Sequence, residues 1–134
     1  MHVDTDGEFS LPASLRLSDR KVHFYANANK VVECRTLQML PDRKSFLSSC
    51  YGGGHVHRMV VQRLSDGKVV HSWAQDPDKF ITKMHGLLDR NHVLVSLYLL
   101  PDYRTVLGSL DLRTHAIRTI ANTHGLWGAV TESD

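Results

Sequence analysis

The sequence has only two cysteines and no segment typical of a targeting signal or a membrane span. Cys34 and Cys50 are too few for a disulfide-rich scaffold, and we favour buried free thiols in a reducing compartment over a single disulfide. Residues 1–10 lack the basic and apolar regions of a signal peptide. The longest near-apolar run, residues 93–100, is far too short to cross a bilayer. These absences favour a cytoplasmic protein without a membrane partner.

No charge of one sign dominates the chain either. The formal net charge is +2 and the pI is near 8.6, with lysines and arginines scattered along the sequence. Such a mild basic excess is a weak argument for nucleic acid, so we expect no nucleic-acid partner. An apolar content of 42% is ordinary for a folded protein, and 134 residues leave room for one domain with a real core.

The motifs of common catalytic and zinc sites are also missing. The chain has no Gly-x-Ser-x-Gly, His-Glu-x-x-His or Cys-x-x-Cys, and the triple glycine at residues 52–54 lacks the Gly-Lys-Ser/Thr of a phosphate loop. Its carboxylates fall at predicted turns, where aspartate is favoured for local backbone hydrogen bonds; examples are Asp42, Asp66, Asp89 and Asp102. The sequence leaves enzymatic activity open and favours a protein that is not an enzyme.

What the sequence does contain is a repeated β-hairpin pattern. Residues 63–73, RLSDGKVVHSW, have a near copy 47 positions upstream at residues 16–24, RLSDRKVHF, and a looser copy at residues 110–120, LDLRTHAIRTI. Asp-Gly between two alternating apolar runs is a strong hairpin signal, because glycine supplies the positive φ that a tight turn needs. A hairpin at Asp66-Gly67 is therefore the firmest local prediction.

Alternation and turn residues predict strands along the whole chain and no helix, because no stretch keeps a helical period over three turns. Pro12 cannot donate to a ladder, so its strand is predicted to be an edge or to be bulged. The predicted strands are residues 9–17, 22–25, 31–40, 45–51, 56–64, 68–73, 80–88, 92–99, 104–112 and 116–120. The chain thus forms a single region of β units at 1–30, 31–79 and 80–123, and residues 124–134 open a further unit or close the first.

The segments that begin each unit resemble the inner strand, turn and second strand of β-propeller blades of the WD-repeat and YVTN types. They are MLPDRKSFLSS (39–49), HGLLDRNHVLVS (85–96) and HGLWGAVTESD (124–134). The resemblance implies four-stranded antiparallel blades of about 47 residues, with roughly three blades in this chain. Closed propellers have roughly four to eight blades. The chain is therefore a piece of a longer protein, half of a ring completed by a second copy, or an open array.

Nine histidines form the most suggestive feature of the composition. Gln38, His85 and His124 are predicted to occupy corresponding places at the start of three inner strands, which the resemblance implies line a channel. Two imidazoles and an amide suit a divalent metal, a sugar or a carboxylate, and some propeller polysaccharide lyases bind a metal with such residue types. The favoured alternative is that these side chains form structural hydrogen bonds and that no cofactor is bound.

Two further groups of side chains have both a functional and a structural interpretation. His55 and His57 lie two apart on a predicted strand, hence on one face, where they suit a transition metal or simply a polar strand end. Four arginines lie on or beside predicted third strands, where a solvated face is favoured and a basic docking stripe for an acidic partner is the alternative; they are Arg58, Arg63, Arg104 and Arg113.

The function we expect is an interaction scaffold that presents loops to a protein partner, because propellers concentrate variable turns on two faces. The alternative is a ligand- or metal-binding propeller enzyme of the polysaccharide lyase or hydrolase type, with the His and Gln site at the channel mouth. A second copy of the chain, or the remainder of a longer chain, is a further expected partner.

Overall fold

The computed structural model describes residues 2–4, 8–10, 13–24, 31–52 and 56–122. These residues form twelve strands and no helix, which confirms the predicted all-β class. The part of the chain that the structure describes therefore has no helix long and apolar enough to span a membrane. Two compact units divide the chain: unit 1 comprises residues 1–74 and unit 2 comprises residues 75–134.

Unit 1 contains a large sheet and a separate hairpin. Its strands are β1 (His2–Asp4), β2 (Glu8–Ser10), β3 (Ala13–Leu15), β4 (Val22–Phe24), β5 (Val31–Met39), β6 (Ser45–Gly52), β7 (Val56–Arg63) and β8 (Val69–Ala74). Strands β5 to β8 form an antiparallel meander, and β2 with β1 extends it in the order β1-β2-β5-β6-β7-β8. Strands β3 and β4 pair with each other as a two-stranded sheet.

The described part of unit 2, residues 75–122, forms one four-stranded antiparallel meander. Its strands are β9 (Lys79–Asp89), β10 (His92–Leu99), β11 (Arg104–Asp111) and β12 (Ile117–Asn122), in the order β12-β11-β10-β9. Short turns join consecutive strands that lie side by side, as expected of a meander. Each unit thus contains one run of four consecutive antiparallel strands, β5 to β8 and β9 to β12.

The predicted strand bounds from residue 22 onward agree with the structure to within two residues. The predicted strand at residues 9–17 is wrong, because it comprises two strands, β2 and β3, that belong to different sheets. Pro12 between them has no N–H to donate, which disfavours a continuous ladder across that position. The further unit predicted at residues 124–134 lies outside the described residues.

The core lies at the central strands of each meander. Residues 45–50 of β6 and residues 93–97 of β10 are buried in succession. Because successive side chains of a strand point to opposite faces, such runs mean that both faces of each sheet are covered. The largest fully buried side chains on these strands are Leu47 in unit 1 and Leu97 in unit 2.

One hairpin geometry recurs in three places, which confirms the hairpin predicted at Asp66-Gly67. A backbone N–H donates to a carbonyl five residues later in each case: Arg16 to Lys21 at 2.9 Å, Arg63 to Lys68 at 3.0 Å and Asp111 to Ala116 at 2.8 Å. The residue before each acceptor has a positive φ: 59° at Arg20, 70° at Gly67 and 65° at His115. The similar sequences around these turns therefore share a similar backbone.

The two cysteines form a disulfide between β5 and β6, so the expectation of free thiols is wrong. Cys34 lies directly opposite Cys50 with their Cα atoms 4.0 Å apart. In unit 2 the corresponding cross-strand pair is Ile81 and Leu97, both of which are buried. The disulfide thus occupies a core position that unit 2 fills with two apolar side chains, and thiols placed opposite each other in a ladder are positioned to pair.

Candidate functional site

Gln38 and His85, which the sequence predicts to be equivalent, occupy different positions in their strands. Gln38 lies near the end of β5 and is paired with Leu47. On β9, Gly86 is the residue paired with Leu94, the position that corresponds to Leu47, and His85 is the extra residue of a bulge. Gly86 has a φ of 147°, a conformation that favours glycine and accommodates the bulge. The proposed correspondence is wrong because the bulge shifts the register by one residue.

The imidazole of His85 is bound to its own sheet. Its Nε2 lies 2.6 Å from Oγ of Ser96 on β10, and Ser96 is only 2% exposed. A hydroxyl so deeply buried is closed to substrate, so the pair is a structural contact within the sheet. Gln38 likewise donates from Nε2 to the carbonyl of Met39 at 2.9 Å. His124 lies outside the described residues, and the three-residue ligand site stays a prediction.

The second predicted pair is described only in part, because His55 lies outside the described residues. His57, the second residue of β7, contacts the ring of Tyr51 at a centroid distance of 4.7 Å. The guanidinium of Arg35 lies 5.9 Å from the centre of the same tyrosine ring. A neighbouring positive charge disfavours a bound cation. Within residues 2–4, 8–10, 13–24, 31–52 and 56–122 there is no group of three or more His, Cys, Asp or Glu arranged to hold a metal.

Protonation of His57 is expected to destabilise unit 1. Partial burial, with a smaller effect of the Arg35 charge, holds the pKa of His57 below its ordinary value of 6.5. The folded state therefore binds this proton less readily than the unfolded state. The stability contributed by the neutral ring is present above a pH of about 6.5 and is lost as the pH falls toward the lower folded pKa.

Urea denaturation at about pH 7.5 and about pH 5 measures this effect as a loss of unfolding free energy at the lower pH. His57→Phe keeps an aromatic ring against Tyr51 and cannot titrate, so its loss should be smaller than that of the wild type. His71→Phe, at an exposed position of the same sheet, is the matched control. Equal losses in the wild type and His57→Phe would show that this imidazole does not contribute.

The turn carboxylates serve the backbone, as the sequence predicts for three of them. Backbone N–H groups donate to Oδ1 of Asp42 at 2.8 Å, of Asp66 at 3.0 Å and of Asp89 at 2.7 Å. Asp111 accepts in the same way from the N–H of Arg113 at 2.8 Å. These hydrogen bonds, joined at Asp66 by a larger contribution from the Arg63 side chain, lower the pKa of each carboxyl. The aspartates are therefore ionised parts of rigid turns.

Neighbouring turns of each meander are joined by a backbone hydrogen bond. In unit 1 the N–H of Leu64 donates to the carbonyl of Lys44 at 2.9 Å, and in unit 2 the N–H of Leu112 donates to the carbonyl of Asn91 at 2.7 Å. We call residues 40–44 with 63–68 the unit 1 turn pair, and residues 88–91 with 111–116 the unit 2 turn pair. Both pairs are short, braced and largely exposed, so each presents its side chains from a defined backbone.

Large side chains at these and other turns adopt a left-handed backbone conformation. Among the described residues, those other than glycine with a positive φ are Arg20 (59°), Arg43 (58°), Tyr103 (53°) and His115 (65°). All four lie in hairpin loops; His115 is half-buried and the other three are exposed. A left-handed residue with a Cβ costs about 1–2 kcal/mol, which is why glycine is the usual choice there. These positions are the least expected feature of the described structure.

Tyr103 is the most prominent of them. It is 72% exposed at the β10–β11 turn, and its ring lies 6.1 Å from that of Tyr98, which in turn lies 5.6 Å from that of Phe80. The three rings lead from the core of unit 2 to its surface. An exposed tyrosine anchored in this way is typical of a residue that contributes strongly to a protein interface.

Comparisons with protein-family models, with curated proteins and with solved structures found no match for this chain. Sequence reasoning identified the turns and their aspartates but missed the left-handed residues. The available signal was Gly67, since Arg20 and His115 occupy the same loop position in the two related hairpins.

Proposed function

We propose that the two four-stranded meanders are blades of a β-propeller and that the protein is an interaction scaffold whose hairpin turns bind a protein partner. Support for the blades comes from consecutive antiparallel strands, from central strands covered on both faces, and from the hairpin geometry shared by the three related segments. Packed sheets cover both faces of their central strands in this way.

The observation that carries the proposal is the left-handed conformation of Arg20, Arg43, Tyr103 and His115. At two of these positions the fold itself does not require a side chain, because Gly67 takes the same loop position as Arg20 and His115. Backbone strain retained at exposed positions commonly marks residues that function in binding. Arginine and tyrosine are also enriched among the residues that dominate protein interfaces.

Replacing these four residues by glycine is expected to stabilise the protein and to weaken partner binding. Each substitution relieves a left-handed side chain, and the net gain in unfolding free energy should be up to about 1 kcal/mol at Arg20 and at Arg43 after the entropy cost of glycine. The gain should be smaller at Tyr103, which loses its ring contact with Tyr98, and at His115, which is half-buried. Thermal or urea unfolding measures the gain. Crosslinking in cells followed by mass spectrometry measures the partners retained by the wild type and by the fourfold variant.

Two control variants make this test specific. Gly67→Ala places a side chain at the matching position of the second hairpin and should destabilise by about 1 kcal/mol. Arg118→Ala removes an exposed arginine from strand β12 and should leave partner recovery unchanged. If the fourfold glycine variant recovers the same partners as the wild type, none of these turns contributes to partner binding and the proposal is wrong.

A second copy of this chain and the remainder of a longer chain are the other partners that the proposal includes. Light scattering of the purified chain distinguishes them, because a discrete dimer supports a second copy and a monomer does not. A cytoplasmic location also remains part of the proposal. The redox state of Cys34 and Cys50 tests this location, because thiols are kept reduced in the cytosol. If the protein is cytoplasmic, an alkylating reagent added at cell lysis should label both cysteines.

A further inference from the structure

We infer that the unit 1 turn pair docks an acidic segment of the partner protein, an inference that rests on the scaffold function proposed above. The pair contains four cationic side chains and two carboxylates, a net formal charge of +2; the cations are Arg43, Lys44, Arg63 and Lys68. The formal net charge of the unit 1 turn pair thus equals that of the whole chain.

Both carboxylates of the unit 1 turn pair are occupied by internal hydrogen bonds. Asp42 accepts from the N–H groups of Lys44 and Ser45 and from Oγ of Ser45, at 2.8 to 3.1 Å. Asp66 accepts from Nε and Nη2 of Arg63 and from the N–H of Lys68, at 2.8 to 3.0 Å. Acceptor groups used in this way are poorly placed to bind a partner's cations.

The cations, in contrast, are exposed to solvent. Arg43, Lys44 and Lys68 are exposed, and within the described ranges none of them forms an ion pair. The guanidinium of Arg63 pairs with Asp66 yet its side chain remains 44% exposed. The hydrogen bond between Leu64 and Lys44 holds the two turns side by side. The brace fixes the backbone from which the four charges project, so their spacing along the edge of the sheet is set before a partner binds.

The unit 2 turn pair provides an internal comparison with the same backbone brace and a different charge. It contains two cations, Arg90 and Arg113, and two carboxylates, Asp89 and Asp111, so its formal charge is zero when histidine is neutral. Judged by the matching hydrogen bonds, Asn91 replaces Lys44 and Ala116 replaces Lys68. The brace therefore does not require a positive surface, and the charge of the unit 1 turn pair is a property of its own.

Carboxylates of a protein segment fit this surface better than the phosphates of a nucleic acid. Residues 40–44 and 63–68 contain no aromatic side chain on which a base would stack. Strands lie about 4.8 Å apart, so the ends of four neighbouring strands span roughly 15 Å, the length of about four or five extended residues. A short run of aspartates or glutamates matches both the charge and the length of the surface.

The test is a fluorescence anisotropy titration of the 134-residue chain with a labelled decapeptide of alternating Asp and Glu, at low ionic strength. Lys44→Asn with Lys68→Ala gives unit 1 the residues of unit 2 and should weaken binding roughly tenfold. Arg90→Asn with Arg113→Asn removes the same charge from the unit 2 turn pair and should weaken it less than about twofold. Thermal unfolding of both double variants verifies that they are folded.

Three results would overturn the inference: no peptide binding by the wild type, equal weakening in the two double variants, or tighter binding of a uridine decanucleotide than of the acidic peptide. The scaffold function is judged separately. If the acidic peptide fails while the fourfold glycine variant still loses cellular partners, the scaffold stands and only the acidic docking surface is wrong.

Discussion

Replacing Leu97 by alanine is expected to lower the free energy of unfolding by about 3 kcal/mol, within the range of about 2–5 kcal/mol typical of buried leucines. Leu97 lies on β10, a central strand of unit 2, and its side chain is fully buried. Alanine would leave a cavity that a sheet covered on both faces cannot readily close. Urea denaturation followed by circular dichroism measures the change.

A second substitution, at Gly108, tests the contact between Gly108 and Leu97 directly. A Cβ at Gly108 would lie 2.6 Å from Cδ1 of Leu97 and 3.1 Å from the carbonyl oxygen of Arg118, so Gly108→Ala alone should cost roughly 1–3 kcal/mol through overpacking. In the Leu97→Ala background the clash with Cδ1 of Leu97 is absent, the 3.1 Å approach to the carbonyl oxygen of Arg118 remains, and the new methyl group fills part of the cavity. The double variant should therefore lose less unfolding free energy than the sum of the losses in the two single variants. Simple additivity would mean that the two residues do not contact each other in solution.

Reduction of the Cys34–Cys50 disulfide is expected to destabilise unit 1 by about 3 kcal/mol, because a cross-link closing a loop of this length restricts the unfolded chain by that amount. The two residues are 16 positions apart in the sequence. Urea denaturation with and without a reducing agent measures the difference. Mass spectrometry after alkylation establishes which redox state each sample contains.

A variant without cysteines separates the cross-link from the packing of its side chains. Cys34→Ala with Cys50→Val keeps an apolar pair at a position where unit 2 has Ile81 and Leu97. We expect this variant to fold, to resemble the reduced wild type in stability and to be insensitive to reductant. If the oxidised and reduced wild type unfold at the same urea concentration, the cross-link does not stabilise the fold.

These two predictions concern the core, whereas the proposed function concerns the turns at the ends of the strands. The separation matters for experiment, because core variants change stability throughout a cooperative unit and would reduce binding indirectly. Glycine variants of the turns are expected to act in the opposite direction on stability. Loss of partner binding in a more stable protein would be hard to explain by unfolding.

Much of the fold could be predicted because its signals are local. Alternating side chains specify a strand. Asp66-Gly67 specifies a hairpin, because Gly67 has a φ of 70°, which only glycine adopts without strain. The turn aspartates were also predictable, since each bonds to an N–H two residues away. At Pro12 the local signal predicted an edge strand or a bulge. It did not predict that β2 and β3 belong to different sheets.

The candidate site could be predicted only in part because its members depend on register. Gln38 and His85 are separated by 47 positions, the spacing of the repeat. Because of the bulge at His85, however, the residue that corresponds to Gln38 is Gly86. The disulfide also depends on register, since Cys34 meets Cys50 only when β5 pairs with β6 in one alignment. Nothing in the composition distinguishes that alignment from its neighbours, and the expectation of free thiols was wrong for this reason.

The sequence by itself determined the all-β class, most strand bounds and the turn positions, because the chemistry behind them acts over two to five residues. The tertiary structure decided which strands share a sheet and which residues oppose each other. Those choices depend on ladders formed between distant segments. The unit 1 turn pair, which is proposed to bind a partner, also depends on this pairing. The hydrogen bond between Leu64 and Lys44 joins two turns that come together only when the strands pair.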